Sequence, residues 1–347
     1  DDKKDATPEK PTTTTAARKP APTFEPGTTM DTIQEKGKIV VGTKFDQRGF
    51  GLKNPTSGEV EGFDAEIAKL IAAGIFGGEA DDVTDKIEFV ESVSKNREPF
   101  IQEGKVDIVI ATYTINDVRK EVVDFAGPYF VAQQDILTKK SDTSINQVSD
   151  LNGKKVCTAT GSTSEKNLRA KAPRAQLTLF STYSECAEAL TDGRVVAVST
   201  DNAILAGIAN DSQGAFKLVK APFSDEPYGI GLKKGDEPFR EFLNDRLEQV
   251  MESGEWAEAF EDTLGAIGLD TPTPPEVDRY QADGAGTSDD GSTTSSSGGS
   301  TSSTVKRSTT STTRKPASSS TTARPSTTTT TVATTMTTVA TTNTTEP

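Results

Sequence analysis

The chain has no histidine in 347 residues. That excludes Ser-His-Asp and Cys-His catalysis and every His-ligated metal site. Its two cysteines are too few for a four-thiolate zinc site. Nowhere do eighteen apolar residues run together, so no segment reads as a membrane-spanning helix. The most apolar helical run, Phe63 to Phe76, is interrupted by Lys69 and is too short. Positive charge is scarce as well: 38 Lys and Arg against 52 Asp and Glu give a formal charge of −14. Nucleic-acid binders neutralise phosphates with Lys and Arg, so this balance points away from them. The sequence opens on Asp1 and shows no signal-peptide pattern, so its N-terminus reads as processed or truncated.

What is present is unevenly spread. Ser and Thr fill 38 of the 67 positions from 281 to 347, and residues 1–29 are rich in Thr, Pro and Lys. Neither stretch can bury enough apolar surface to fold. Residues 1–29 are therefore expected to be a disordered linker and 281–347 a disordered tail, the tail being a candidate for O-glycosylation. The head balances five acids with five bases and the tail four with five, so the middle carries −15. That middle, Met30 to Tyr280, is long enough to bury a core.

Within it, strand-like and helix-like runs alternate. Lys38 to Thr43 is a short apolar strand. Phe63, Ile67, Leu70, Ile71 and Ile75 recur at i, i+4, i+7, i+8 and i+12, which lines one face of a helix. Strands at 87–90 and 106–111 flank a helix at 97–103. This order predicts a parallel sheet with helices on its faces. A second unit repeats it, with strands at 155–158, 176–180 and 195–199 and helices at 165–172, 183–190 and 202–209. A helix pair closes the middle, the first headed by Asp236 and the second carrying Trp256 and Phe260.

Two segments carry chemistry. From Thr160 to Glu165 a strand ends in small hydroxyl residues and Gly, and a helix begins. Free N–H groups and the helix dipole there suit a carboxylate or phosphate, although a plain N-cap has the same appearance. In the second segment Arg119 follows Thr112 and Thr114 at a strand end. An arginine so placed can clamp a carboxylate through two parallel hydrogen bonds, or be an ordinary surface group. Cys157 lies in a strand-like run and Cys186 in the first turn of a helix. They are either two buried thiols or a disulfide closing about 30 residues, worth ~3–4 kcal/mol. The extracellular-looking tails favour the disulfide.

Taken together, the fragments resemble the extracellular solute-binding proteins, family 3, of bacterial ABC importers for polar amino acids. The resemblance covers about residues 30–270. It rests on Gly62-Phe63-Asp64, Gly104-Lys105-Val106-Asp107, Ala111-Thr112-Tyr113-Thr114 with Arg119, and Val123-Asp124-Phe125-Ala126-Gly127-Pro128-Tyr129. It continues through Asp150-Leu151-Asn152-Gly153-Lys154, Gly161-Ser162-Thr163 and Tyr228-Gly229-Ile230. Val41-Gly42-Thr43-Lys44-Phe45-Asp46-Gln47 looks most like the actinobacterial glutamate/aspartate-binding members.

The resemblance implies an α/β, periplasmic-binding-protein-like fold of type II, two α/β lobes joined by two hinge strands. The solute-binding domain would span 30–271. Lobe one would be about 30–129 and 229–270, lobe two about 134–223, with hinges near 130–133 and 224–228. It implies that Arg119, Thr114 and Thr163 hold a ligand α-carboxylate. Asp201, with Thr112, would take the α-ammonium. Lys44 and Arg97 would face the ligand side chain, with Ser94 and Tyr183 close by. Two cations there favour glutamate or aspartate over asparagine or glutamine. No cofactor, metal or nucleic acid is implied. The expected partners are the amino acid and the permease subunits, the expected state a monomer. The expected location is the cell surface, through a lipidated N-terminus that this sequence does not contain. A sensor that signals to a membrane partner needs the same clamp, and a cyclohexadienyl dehydratase-like enzyme shares the fold.

Overall fold

In the computed structural model, which describes residues 19–280, local chemistry sets the first boundary. The Thr28 side chain accepts from the Asp31 N–H and starts helix α1 (Thr29–Lys36), and Gly37 stops it at φ 68°. Then come β1 (Ile39–Thr43), β2 (Asp46–Gln47), β3 (Gly51–Lys53), β4 (Val60–Glu61) and α2 (Phe63–Phe76). They are followed by β5 (Ile87–Glu91), α3 (Arg97–Gln102), β6 (Ile108–Val109), α4 (Asp117–Lys120) and β7 (Val123–Lys139). Next are β8 (Lys155–Ala159), α5 (Thr163–Lys171), β9 (Gln176–Phe180), α6 (Tyr183–Thr191), β10 (Ala197–Asp201) and α7 (Asn202–Asp211). The series ends with β11 (Phe216–Leu218), β12 (Asp225–Lys233), α8 (Glu237–Ser253) and α9 (Glu255–Thr263).

The main sheet runs β5-β1-β6-β12-β7-β10-β8-β9, with β11 also on β7. Both wings are parallel, as the strand–helix alternation predicts: β5, β1 and β6 on one side, β10, β8 and β9 on the other. The centre differs from the parallel sheet expected. β12 is antiparallel to both β6 and β7, and β7 is antiparallel to β10. The reason is one strand of 17 residues. The first part of β7 pairs with β12, and its last residues, Gln134 to Thr138, pair with β10. β7 thus leaves one α/β lobe and enters a second, and β12 returns along it. Lobe one holds β1 to β6 with α1 to α4, α8 and α9. Lobe two holds β8 to β11 with α5 to α7. β2, β3 and β4 form a separate small sheet that periodicity did not reveal.

The cores differ in kind. In lobe one Phe63 packs against Trp256 at 5.5 Å and Phe260 at 5.7 Å, and Phe50 against Phe130 at 5.8 Å. The Trp256 indole N–H donates to the Tyr129 carbonyl at 2.8 Å, so α9 is bonded to the crossing strand. In lobe two Ile136, Leu151, Val156, Leu168 and Ala197 form an aliphatic cluster. Cys157 of β8 and Cys186 of α6 are joined in a disulfide, with Cα atoms 5.5 Å apart.

The sequence reading ended the linker at 29, but residues 19–28 lie on lobe one. The Gly78 N–H donates to the Lys19 carbonyl at 2.8 Å, and Phe24 packs edge-on against Phe242 at 5.3 Å. An aromatic side chain with a partner on α8, together with hydrogen bonds from Gly78 and Gln34 to its carbonyls, holds a stretch that composition alone assigned to linker. Residues 271–280 also return to lobe one, where the Tyr280 hydroxyl accepts from the Phe125 N–H at 2.8 Å. The rest of the expected linker, 1–18, and the expected tail, 281–347, lie outside the described residues.

Candidate functional site

The site is a charged cleft where the ends of β1, β6 and β10 meet the crossing strands. Lobe one contributes three cations. Lys44, one residue past β1, has its ammonium 2.9 Å from the Ser94 hydroxyl. Arg97, at the start of α3, donates from Nε to the Ser94 carbonyl at 3.3 Å. Its Nη1 donates to the Ala111 and Thr112 carbonyls at 3.0 and 3.2 Å. Arg119, on α4, donates from Nε to Glu98 at 3.1 Å and from Nη1 to the Thr114 carbonyl at 2.6 Å. Both guanidiniums lie over the Tyr113 ring, 4.3 and 4.8 Å from its centroid. Each uses Nε and Nη1 on the protein and, among the described residues, has no hydrogen-bond acceptor at Nη2. Two guanidiniums are therefore fixed in place with donors left over.

Thr112 sits at φ 46°, a conformation that a β-branched residue rarely adopts. Asp64 holds it there: its carboxylate accepts the Thr112 N–H at 3.0 Å and the Tyr129 hydroxyl at 2.6 Å. The Thr112 hydroxyl lies 3.0 Å from Gln47 Oε1 and 2.8 Å from the Ala111 carbonyl. The polar groups of Thr112 are thus engaged within lobe one, with its carbonyl aimed at Arg97. Gly62 brings Asp64 into range. It adopts φ 117°, and a β-carbon there would lie 2.5 Å from the Phe50 carbonyl oxygen.

Lobe two contributes Asp201 and the start of α5. Ser162 caps α5, its hydroxyl accepting from the Glu165 N–H at 3.1 Å, which leaves Thr163 at the first helical position. Thr163 Oγ1 is 3.4 Å from Thr114 Oγ1 on lobe one. Asp201 ends β10. One carboxylate oxygen accepts from the Tyr228 hydroxyl at 2.5 Å, and the other is buried with no hydrogen-bond partner. Such an orphan is unfavourable unless something is meant to bond there. The Tyr183 ring is buried, its hydroxyl 3.4 Å from Ser164.

Sequence reasoning missed Glu226, on the returning strand β12. It is buried and accepts from Thr114 Oγ1 at 2.8 Å, Asn167 at 2.9 Å and Ser224 at 2.7 Å. Its donors come from lobe one, lobe two and the crossing strand. No sequence spacing links them, so only the folded pairing identifies the residue.

Burial dominates the electrostatics. Lys44, Arg97, Thr112, Thr114, Arg119 and Asp201 are between 2% and 6% exposed, and Thr163 is half-buried. Burial and the neighbouring Arg97 push Lys44 down to about 7. Burial and Arg97 push Arg119 down to about 10. Burial and the nearby Glu226 push Asp201 up to about 7, while Arg97 and Arg119 pull against that rise. Burial lifts Asp64 to about 6. Like charges are crowded on each side, and opposite charge between them would relieve both. Among the described residues no group of three or more acids or thiols is placed to hold a metal ion. None of the described helices is long and apolar enough to cross a membrane.

A two-lobed α/β molecule with fixed cations on one lobe, a half-partnered acid on the other and two strands between them is a solute-binding protein of the periplasmic type. The profile of the bacterial extracellular solute-binding proteins, family 3, matches residues 39–266, and the chain belongs to that family. The ABC transporter glutamine-binding protein GlnH of Bacillus subtilis is 44% identical over 233 residues, 67% of this chain and 83% of that protein. The glutamate-binding protein GluB of Corynebacterium glutamicum is 38% identical over 251 residues, 70% of this chain and 84% of that protein. The structure of an ancestral arginine-binding protein bound to glutamine matches with a TM-score of 0.60 at 37% identity, over 66% of this chain and 98% of that one.

Proposed function

We propose that the chain captures an acidic amino acid, glutamate or aspartate, between its lobes and delivers it to the permease of an ABC importer. In this reading lobe one is about 19–129 and 229–280, lobe two about 134–223, and closure seals the ligand from water. Arg119 takes the α-carboxylate through its remaining donors, with the Thr163 hydroxyl beside it and the single Thr114 O–H turning to it from Glu226. Asp201 takes the α-ammonium, and Lys44 and Arg97 take the side-chain carboxylate. The observation that carries the reading is the buried Asp201 oxygen without a partner, in a cleft whose other buried charges include three cations.

Glutamine is the competing ligand, favoured by the 44% identity to a protein named for glutamine binding. Lys44 decides against it in our reading. An amide leaves the buried ammonium hydrogen-bonded only to Ser94, with Asp46 and Asp64 acting on it from farther off, whereas a ligand carboxylate neutralises it directly. The reading contains no catalytic step. Asp201 is assigned to an ammonium, and Asp64 is engaged by Tyr129 and Thr112. The protein would act as a monomer at the cell surface, held by a lipid anchor.

A thermal-shift screen of the twenty amino acids, followed by calorimetric titration, tests this. Glutamate or aspartate is expected to give the largest shift and micromolar or tighter binding, about −8 kcal/mol or better. Tighter binding of glutamine would overturn the ligand assignment. Absence of binding by any amino acid would overturn the whole reading.

A further inference from the structure

Beside the charged site the lobes touch at a second place, where β2 of lobe one lies against α6 and α7 of lobe two, and its Asp46 also acts on Lys44. The Asp46 carboxylate accepts from the Tyr183 N–H at 2.9 Å and the Ser184 N–H at 3.4 Å. The Ser184 hydroxyl donates back to the Asp46 carbonyl at 3.1 Å. These are the first two N–H groups of α6, which have no partner inside the helix. The third, of Glu185, is already taken by the Thr182 hydroxyl at 3.3 Å. A carboxylate from the opposite lobe therefore completes the cap of α6, at the positive end of its dipole. The disulfide fastens α6 to β8, and β8 leads into the loop that presents Thr163.

Two residues on, Arg48 reaches α7. Its guanidinium is 3.0 Å from Asp211, and its carbonyl faces Gly207 in the middle of the helix. A β-carbon on Gly207 would lie 2.5 Å from that carbonyl oxygen, against backbone that cannot swing aside. Glycine inside a helix is unfavourable relative to alanine and calls for a packing reason. Within α7 itself alanine would be welcome. The three nearest atoms that such a carbon would meet all belong to Arg48 of lobe one.

We propose that Asp46 and Gly207 are positioning residues of the closed state, which set how long the ligand is held without touching it. The Asp46 carboxylate supplies the attraction between the lobes, and Gly207 supplies the room for β2 to seat. This rests on the reading that ligand is retained by lobe closure.

The test compares wild type, Gly207→Ala and Asp46→Asn by stopped-flow binding of glutamate, thermal melting of the free proteins and small-angle scattering with and without glutamate. Gly207→Ala is expected to release glutamate at least tenfold faster and Asp46→Asn several-fold faster. Association rates should stay within about twofold, and the melting temperature of free Gly207→Ala should be unchanged or raised. Loaded Gly207→Ala should scatter as a more open particle than loaded wild type. Wild-type release rates and wild-type scattering in both variants would overturn the proposal. Should wild type bind no glutamate, the ligand assignment falls. The clamp is then judged by the same release and scattering comparison with whichever amino acid wild type does bind, where wild-type values in both variants would overturn it, and if wild type binds none the proposal falls with the reading it rests on.

Discussion

Lobe one and lobe two each hold half of a buried charged cluster in place, and they do it with different materials. Lobe one uses rings. Phe50, Phe63, Tyr129, Phe130, Trp256 and Phe260 brace its helices against the crossing strand, and Tyr113 lies under both guanidiniums. Lobe two is smaller and packs aliphatic side chains, so it buries a smaller share of its surface and gains more from a covalent tie. The division extends to charge. Lobe one brings Lys44, Arg97 and Arg119; lobe two brings Asp201 and the start of α5. Neither half is electrically content alone, as the shifts of Lys44 and Asp201 towards neutrality from opposite directions make plain. The lesson is that affinity is divided between the lobes, and damage to either half should be read in different observables.

The largest effect should come from the cationic half. Arg119→Ala is expected to weaken glutamate binding by ~2–5 kcal/mol, because it leaves a buried carboxylate without its partner. The free protein should melt close to wild type, since the Tyr113 ring and Arg97 remain. Unchanged binding by calorimetry would show that Arg119 serves only Glu98 and the Thr114 carbonyl. The matching experiment on lobe two shows up in stability. Replacing Cys157 and Cys186 by Ser removes a cross-link of sequence separation 29 and should lower unfolding stability. The expected loss is ~3–4 kcal/mol, read from the denaturant midpoint. A double variant as stable as wild type would show that the aliphatic core of lobe two suffices by itself.

Much of this was legible in the sequence, and the reasons are specific. The strand–helix alternation marks both parallel wings, because each strand is a short apolar run ended by polar or turn residues. Arg119 and Thr163 are legible as candidates because the pattern that singles them out is local, a helix start and the residues just before it. β7 was not legible as one strand, since Gly127-Pro128 in its middle argues against an unbroken run. Asp46, Asp64, Gly207 and Glu226 were not legible as contacts. Each has its role through a partner 48 to 159 residues away, and nothing in its own neighbourhood announces it.

Acidity sharpens the comparison further, because each lobe should govern one limb of a pH profile. Asp201 sits at about 7 in the folded protein against an ordinary 3.8, and an ammonium needs it ionised. Below about pH 7 binding must expel a proton from Asp201, so affinity should fall as pH drops. Lys44 sits at about 7 against an ordinary 10.5, and a ligand carboxylate needs it protonated. Above that pH binding must take up a proton, so affinity should fall as pH rises. Each limb approaches tenfold per pH unit, or ~1.4 kcal/mol. Glutamate affinity should therefore peak near neutrality, and Lys44→Met should remove the alkaline limb alone. Stability follows the same shifts with its own signs. The Asp201 contribution declines from pH 3.8 to about 7, where the carboxyl ionises in the unfolded chain but stays protonated when buried, and the Lys44 penalty is relieved from about 7 to 10.5. A glutamate profile that is flat across pH 6 to 8 would remove both residues from the ligand's reach.

The smallest expected effect tests whether the lobes meet at the ligand itself. Thr114 and Thr163 bring their hydroxyls to 3.4 Å from opposite lobes. Thr163→Val keeps the side-chain shape and removes one neutral donor, so it should weaken binding by about 1 kcal/mol. Thr114→Val should do slightly more, because it also leaves Glu226 with two of its three donors. The informative quantity is their coupling. If ligand draws the Thr114 O–H away from Glu226 so that both hydroxyls grip one carboxylate, the double variant should lose less than the sum of the singles, by at least 0.5 kcal/mol in a calorimetric double-mutant cycle. Strict additivity would mean that the two threonines touch different groups, and that the α-carboxylate is held by lobe one alone.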